Sequence, residues 1–503
     1  MLYKNRNSTA KSRGRSALAD ILSVGIDIGT STTQLVFSRI SMKNTMGYFS
    51  VPHVEIVDKE VLYKSAVHTT PLLDAVRIDS DAVRDIVAAE YASAGYRPDD
   101  VDTGAVIITG ESARKENAAA VLARLSDFAG EFVVSTAGPD LESVIAGKGS
   151  GAWQRSKETH GITANLDIGG GTTNIVIFRD GEAVSKGCYD IGGRLIRVRD
   201  EGGILFVESV SPAAARVAES LGIRLSAGQT TSEADLRRVT DVMAALLAQA
   251  MGLQAATPLL EQLRTPESDA LILPKEPIDS VFFSGGVADF VAQARGAAGN
   301  GASGAFPFGD IGKLLGESIA ASGLTTRIPV AEGRETIRAT VVGAGTYTTT
   351  ISGSTIAYAE SLFPIKNIPA LKLTQAEQND CFAGHRGALS DKIRWFLEQS
   401  ASDNLILALP GKKDPSYPEI RALASYLAEE LDRALPAGAP VLIVLEQDMA
   451  KALGILLEKA LQGRRLLACI DGIRVDANDY VDMGKPLFGG LVVPVVVKTL
   501  LFG

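Results

Sequence analysis

Residues 24–37 read VGIDIGTSTTQLVF, and residues 166–178 read LDIGGGTTNIVIF. Each stretch is an apolar run that ends on an aspartate, Asp27 or Asp167, and turns through glycines and hydroxyls into a second apolar run. The first turn holds Gly29, Thr30, Ser31, Thr32 and Thr33; the second holds Gly169, Gly170, Gly171, Thr172 and Thr173. Backbone N–H groups exposed by a glycine turn cradle an anion, and the hydroxyls add donors. A carboxylate at the strand end repels phosphate directly, so its natural task beside one is to hold a hydrated Mg²⁺. Two such hairpins facing each other would clamp a triphosphate with one metal between them. Neither stretch has the Gly-Lys-Ser/Thr ending of a P-loop, and no glycine triad opens a helix as a dinucleotide fingerprint requires. Either stretch alone reads equally well as a plain glycine hairpin, so it is the repetition that favours the phosphate reading.

The elements that must position these groups follow from periodicity. Residues 21–40 read strand, turn, strand, and GAVIITG (104–110) reads as a short strand. SARKENAAAVLARLSDFAG is an amphipathic helix, EFVVST a strand, and Gly138-Pro139 the start of a helix. Residues 232–252 form a strong helix with Ser232 as its N-cap. SVFFSGGVADFVAQA (280–294) reads strand, glycine turn, helix, and residues 337–355 run from an apolar segment into another glycine-marked element. Beyond about residue 360 strands and helices alternate, which suggests a further small α/β unit. The closing GGLVVPVVVKTLLFG is short and holds Pro494 and Lys498, so it reads as a buried strand rather than a membrane helix.

A chain of 503 residues is too long for one ordinary core, and a prior of about 150 residues per domain gives roughly three or four units. The net charge of −9 argues against a nucleic-acid partner, which needs a basic face. Cys188, Cys381 and Cys469 form no CxxC pair, and their odd number fits packing residues in a reducing compartment. Residues 1–20 are basic and polar without an apolar core of signal-peptide length, so they read as a flexible arm, with a docking or targeting tail as the alternative. His53, His68, His160 and His385 do not cluster; ordinary histidines and a metal or cofactor ligand both stay open. Lys412 and Lys413 in PGKKDPS lack the rest of a phosphate loop and read as an exposed turn.

The order of the motifs resembles the actin, Hsp70 and sugar-kinase ATPase superfamily over about residues 21–355. Asp27–Thr33 is similar to its first phosphate loop and Asp167–Thr173 to its second. VFFSGGVADF (281–290) is similar to its adenosine motif, where Gly285 and Gly286 let the backbone approach the nucleotide. EFVVSTAGPDLESVIAGKGSGA (131–152) is similar to the first connecting element, ATVVGAGTYTTT (339–350) with Gly343 to the second, and GCYDIGGRLI (187–196) to the turn after the second phosphate hairpin. The resemblance implies an α/β, two-lobed actin/Hsp70-like ATPase fold of duplicated ribonuclease H-like domains. The lobes would span 21–160 and 161–355, with a C-terminal α/β extension over 356–503. It implies ATP and Mg²⁺ as cofactors, Asp27 and Asp167 as the catalytic and metal-holding acids, and the glycines and hydroxyls named above as nucleotide contacts. One departure stands out. Hsp70-like members carry a glutamate before the proline of the first connector, whereas Gly138 precedes Pro139 here, leaving Asp140 or Glu142 as substitutes. Slow hydrolysis, suited to a switch, is the expectation.

SVGIDIGTSTTQLVFSRI, ITGESARKENA, STAGPDLESVIAGKGSGA, LDIGGGTTNIVIF and VVPVVVKTLLF together resemble the bacterial ethanolamine ammonia-lyase reactivases, over nearly the whole chain. That resemblance implies ATP-dependent release of damaged cobalamin from adenosylcobalamin-dependent ethanolamine ammonia-lyase, so that intact cofactor can rebind during ethanolamine catabolism. It implies the lyase as protein partner, a possible homo-oligomer, no nucleic-acid or membrane partner, and a cytoplasmic place that includes the interior of a bacterial microcompartment. The alternative is a metabolite kinase of the same superfamily, which needs a base for a substrate hydroxyl; no acid stands out for that task. A filament-forming member would need a self-association surface or an amphipathic tail, and the C-terminus does not read as one.

Overall fold

The computed structural model describes residues 18–499 except 30–31, 45–53, 75–76, 110–116, 118–120, 122–123, 126–133, 137–138, 267, 269, 297–303, 334, 337, 348, 353–354, 386, 401, 477–478 and 488. The first glycine motif is the turn of an antiparallel hairpin, β1 (Leu18–Ile28) and β2 (Thr32–Asn44), with Asp27 opposite Gln34 and Ile28 opposite Thr33. β1 starts at Leu18, inside the stretch expected to be a flexible arm. β3 (Val54–Lys64) and the short β4 (His68–Thr69) pair with β2, while β5 (Thr103–Ile108) and β6 (Val134–Thr136) extend the sheet on the other side in parallel. Val24, Ile26 and Ile28 alternate onto one face and pack with Phe37 and with Val83, Val87 and Tyr91 of α1 (Ser80–Ala94). Full burial of each such aliphatic side chain is worth about 1.5–3 kcal/mol.

The second motif repeats the plan. β7 (Ile162–Ile168) and β8 (Thr173–Arg179) form the hairpin, with Asp167 opposite Asn174 and Ile168 opposite Thr173. β9 (Glu182–Tyr189) lies beyond β8, and β13 (Ser280–Ser284) pairs in parallel with β7. The order β9-β8-β7-β13 is therefore the order β3-β2-β1-β5 again. A small three-stranded sheet of β10 (Ile196–Glu201), β11 (Ile204–Val210) and β12 (Thr230–Thr231) belongs to this half. The main helix of the half is α3 (Glu233–Ala250), whose N-cap Ser232 accepts from Asp235 N at 3.1 Å.

Two helices exchange between the halves. α2 (Pro139–Ser150) leaves the first sheet and packs on β7, β8 and β9; α5 (Ala339–Tyr347) leaves the second half and packs on β1 and β2. They cross in tight contact: a Cβ on Gly149 would lie 1.8 Å from Ala339 O, and one on Gly343 2.1 Å from Ile145 O. Between α3 and α5 lies α4 (Ala288–Ala294), which follows β13 through the Gly285-Gly286 turn.

The remainder is a third α/β unit around one eight-stranded sheet, ordered β14-β21-β20-β16-β17-β18-β19-β15. β14 (Thr349–Ile351) and β15 (Ala357–Tyr358) enter it, so the sheet begins just before the expected boundary at 356. β16 (Ile365–Lys372), β17 (Ile406–Leu409), β18 (Val441–Leu445) and β19 (Leu467–Ile470) are parallel neighbours. Helices α6 (Gln375–Ala383), α7 (Ala388–Ser400), α8 (Tyr417–Ala434) and α9 (Ala450–Leu461) supply the core on one face. β20 (Asp479–Met483) and β21 (Pro494–Thr499) close the chain, and the PVVVKT segment is a strand as its β-branched run requires. Val496 of β21 sits with Ala105 and Ile107 of β5, Ile145 of α2 and Ala344 of α5, at the point where the exchanged helices meet the first sheet. Among the described residues no helix is long and apolar enough to cross a membrane.

Candidate nucleotide cleft

A cleft of about 1050 Å³, counting its open mouth, lies between the two duplicated sheets. Asp27, Gly29 and Thr32 line it from the first hairpin; Asp167, Gly169, Gly170, Gly171 and Thr172 line it from the second; Gly285 and Gly286 line it from the turn after β13. Each hairpin closes in the same way, Gly29 N donating to Thr32 O at 2.8 Å and Gly169 N to Thr172 O at 2.9 Å. Gly285 has φ +85°, and a Cβ there would strike Ile168 O at 2.4 Å, while Gly286 meets open space. The Gly-Gly pair thus lets β13 turn directly over the end of β7 and leaves bare backbone toward the cleft.

The two aspartates are held by parallel devices. Thr109, just past β5, donates its hydroxyl to Asp27 Oδ1 at 2.9 Å; Ser284, at the end of β13, donates to Asp167 Oδ1 at 2.6 Å. Thr340 of α5 adds a 3.4 Å donation to Asp167 Oδ2. Both phosphate turns are propped from behind. Thr70 Oγ1 donates to Gly29 O at 2.8 Å, and Gly193 N and Arg194 N donate to Gly169 O and Gly170 O at 3.0 and 2.7 Å. Arg194 faces the cleft beside the buried Asp310, their closest N···O approach being 3.3 Å. The buried Phe290 of α4 and the largely exposed Phe308 also line the cleft, as a tilted aromatic pair with ring centroids 6.1 Å apart. Glu142 of α2, nearly buried, reaches the cleft from the connector one turn past Pro139.

The structure corrects two expected contacts. Thr173 does not line the cleft: its hydroxyl is buried and donates to Ile191 O at 2.7 Å, tying β8 to the following turn. Gly343 serves the helix crossing, because only a missing side chain permits that approach to Ile145. Thr30, Ser31 and Gly138 lie outside the described residues. Of Thr109, Glu142, Arg194, Phe308, Asp310 and Thr340, which also line the cleft, the sequence singles out only Glu142, with Asp140, as a substitute for the connector acid. The six come from five separate elements, and only Glu142 carried a local signal, its place just after Gly-Pro.

Burial raises both aspartates. The Asp27 carboxyl is pushed from 3.8 to about 7 by loss of solvent, opposed by the Thr109 hydrogen bond and reinforced by the charge of Asp167. The Asp167 carboxyl is pushed to about 6 by burial, opposed by Ser284 and Thr340. Because the folded chain binds these protons more tightly than the unfolded chain, their stabilising contribution is complete below about pH 4 and is lost as pH rises through about 6 and 7. In metal-free buffer the thermal midpoint should therefore fall from pH 5 to pH 8. The Asp27→Asn/Asp167→Asn variant should show a flatter profile; identical slopes would show that these carboxyls carry no such shift.

Duplicated sheets, exchanged helices and a cleft between paired glycine hairpins define the two-lobed actin/Hsp70-like ATPase fold. Within it, the chain belongs to the ethanolamine utilisation protein EutA family, whose model matches residues 19–503. The ethanolamine ammonia-lyase reactivase EutA of Escherichia coli (strain K12) is 36% identical over 483 residues, covering 96% of this chain and 98% of that protein. The protein of the same name from Salmonella typhimurium (strain LT2) is similar at 36% identity over the same length. The ROK hexokinase of Thermus thermophilus is similar at a TM-score of 0.31 and 16% identity, over 65% of this chain and 97% of that one.

Proposed function

We propose that this chain is an ATP-dependent reactivase for adenosylcobalamin-dependent ethanolamine ammonia-lyase, which releases damaged cobalamin so that intact cofactor can rebind. The observation that carries the nucleotide part is the convergence of both aspartate–glycine hairpins and Gly285-Gly286 on one cleft. Family membership supports the lyase as the partner.

The donor set fits a hard divalent cation. Two carboxylates, Asp167 buried and Asp27 partly buried, each raised by loss of solvent and Asp27 further by the charge of Asp167, face a cleft rich in hydroxyls and backbone. Among the described residues there is no gathering of three or more His, Cys, Asp or Glu. A full protein cage is therefore not what these residues build; two acids with open positions suit a cation that keeps waters and shares phosphate oxygens. Mg²⁺ bound there would neutralise phosphate charge. Asp27 and Asp167 would hold it from opposite lobes, the Gly29 and Gly169–Gly171 turns would offer phosphate the N–H groups not used in closing the hairpins, and Phe308 would cover the base.

Glu142 orients the attacking water and takes its proton, standing in for the acid that Gly138 replaces. The work on the lyase comes from lobe rotation about the α2–α5 crossing, and it requires that one nucleotide state bind the lyase more tightly than the other. The protein works in the cytoplasm or within a microcompartment. Calorimetry with ATP and a non-hydrolysable analogue, in the presence of Mg²⁺, tests the cleft; no binding at millimolar nucleotide removes the reading. Glu142→Gln should keep nucleotide affinity and slow hydrolysis by about 10²-fold; an unchanged rate would leave another group as the base.

A further inference from the structure

We infer that Gln34 is a positioning residue for the hydrated cation, its side-chain carbonyl accepting a hydrogen bond from cation-bound water and favouring Mg²⁺ over Ca²⁺; this rests on the ATP–Mg²⁺ reading above. Gln34 lies directly opposite Asp27 in the β1–β2 register, so the two side chains leave the sheet on the same face. It lines the cleft and is 4% exposed. Its Nε2 is directed at Thr32 Oγ1, 3.5 Å away, while its Oε1 meets no donor among the described residues. A buried acceptor without a donor is destabilising, and beside Asp27 in the ionised state that holds a cation it gains nothing from that neighbour, which then offers only more acceptors.

The second hairpin repeats the register and the unpaired amide oxygen, although its residue does not line the cleft. Asn174 holds the matching register position against Asp167, is 2% exposed, and its Oδ1 likewise meets no donor among the described residues. An aliphatic side chain would serve a buried strand position better, as Leu35 and Val36 do next door. What an amide oxygen next to an acid suits is a donor arriving with a positive charge, and the waters of a hydrated cation are such donors. Mg²⁺ keeps several waters in a strict octahedron, whereas Ca²⁺ exchanges them readily for direct oxygen ligands in looser geometry. A neutral outer-sphere acceptor therefore supports the ion that retains its waters. Gln34 orients that shell without adding the charge that would tighten every divalent cation alike.

The test titrates Mg²⁺ and Ca²⁺ into the ADP-loaded full-length protein by calorimetry, for wild type, Gln34→Leu and Gln34→Glu. Gln34→Leu should weaken Mg²⁺ about 10-fold, leave Ca²⁺ and metal-free ADP affinity unchanged, and so lower the Mg²⁺/Ca²⁺ preference. Gln34→Glu keeps the acceptor and should bind Mg²⁺ at least as tightly as wild type. Equal Mg²⁺/Ca²⁺ preference in wild type and Gln34→Leu overturns the inference while leaving nucleotide binding intact. Failure of wild type to bind ADP overturns both. If Gln34→Leu loses ADP through misfolding, Gln34→Glu decides, and a weakened Mg²⁺ there also overturns the assignment.

Discussion

Replacing Asp27 and Asp167 together with asparagine is expected to lower ATP hydrolysis by about 10³-fold or more and to remove its dependence on Mg²⁺. Asparagine keeps an oxygen in place, so the donations from Thr109 at 2.9 Å and from Ser284 at 2.6 Å survive. What disappears is the negative charge that holds the cation against the phosphates. The exchange also removes two carboxyls that burial drives toward the neutral form, so the apo protein should be at least as stable as wild type at pH 7. Hydrolysis measured across a Mg²⁺ titration, with a melting curve for each variant, separates lost chemistry from lost fold. Normal turnover by the double variant would mean that the acids are assigned the wrong task.

A methyl group at the helix crossing should have an effect of comparable size by a different route. In Gly149→Ala the new Cβ would sit 1.8 Å from the carbonyl oxygen of Ala339, and in Gly343→Ala 2.1 Å from that of Ile145. Neither neighbour is a flexible side-chain tip, so α2 and α5 must move apart. Such overpacking costs about 1–3 kcal/mol, occasionally more, even in yielding sites. The same separation would disturb Thr340, which touches Asp167 from α5, and Glu142, which enters the cleft from α2. Melting temperature and ATP affinity are therefore expected to fall together. A variant that melts earlier with unchanged affinity would show that the crossing is structural and does not govern the cleft.

The glycine hairpins were legible because each is a local pattern: the acid, the turn and both strands lie within a dozen or so residues, and alternation alone predicts their pairing. The duplication showed for the same reason. The props behind the hairpins did not show. Thr109 meets Asp27 across 82 positions and Ser284 meets Asp167 across 117, separations at which no spacing rule operates. Gly343 illustrates the reverse case. A glycine in a connecting segment signals close approach, yet the sequence does not say of what, and here the partner is the backbone of α2 rather than a nucleotide. Thr173 belongs to the motif by position, but strand alternation turns its hydroxyl to the far side, onto Ile191 O. The C-terminal unit was visible as alternating strands and helices, whereas the docking of Val496 onto the helix exchange depends on tertiary packing.

Val496 of β21 shares one buried cluster with residues of both exchanged helices and the first sheet, so the proposed lobe motion would have a path to the third unit. Under the proposed function, nucleotide-dependent rotation moves a surface engaged with the lyase, and ATP and ADP states must differ in lyase affinity for any work to be done. Robust phosphorylation of ethanolamine by the pure protein would instead promote the metabolite-kinase alternative. The most direct measurement follows cobalamin release from inactivated ethanolamine ammonia-lyase after mixing with this protein. Release that requires ATP and Mg²⁺ together, and that is lost with the Asp27→Asn/Asp167→Asn variant, is the predicted result; release that proceeds equally without nucleotide, or fails with every component present, would contradict the account.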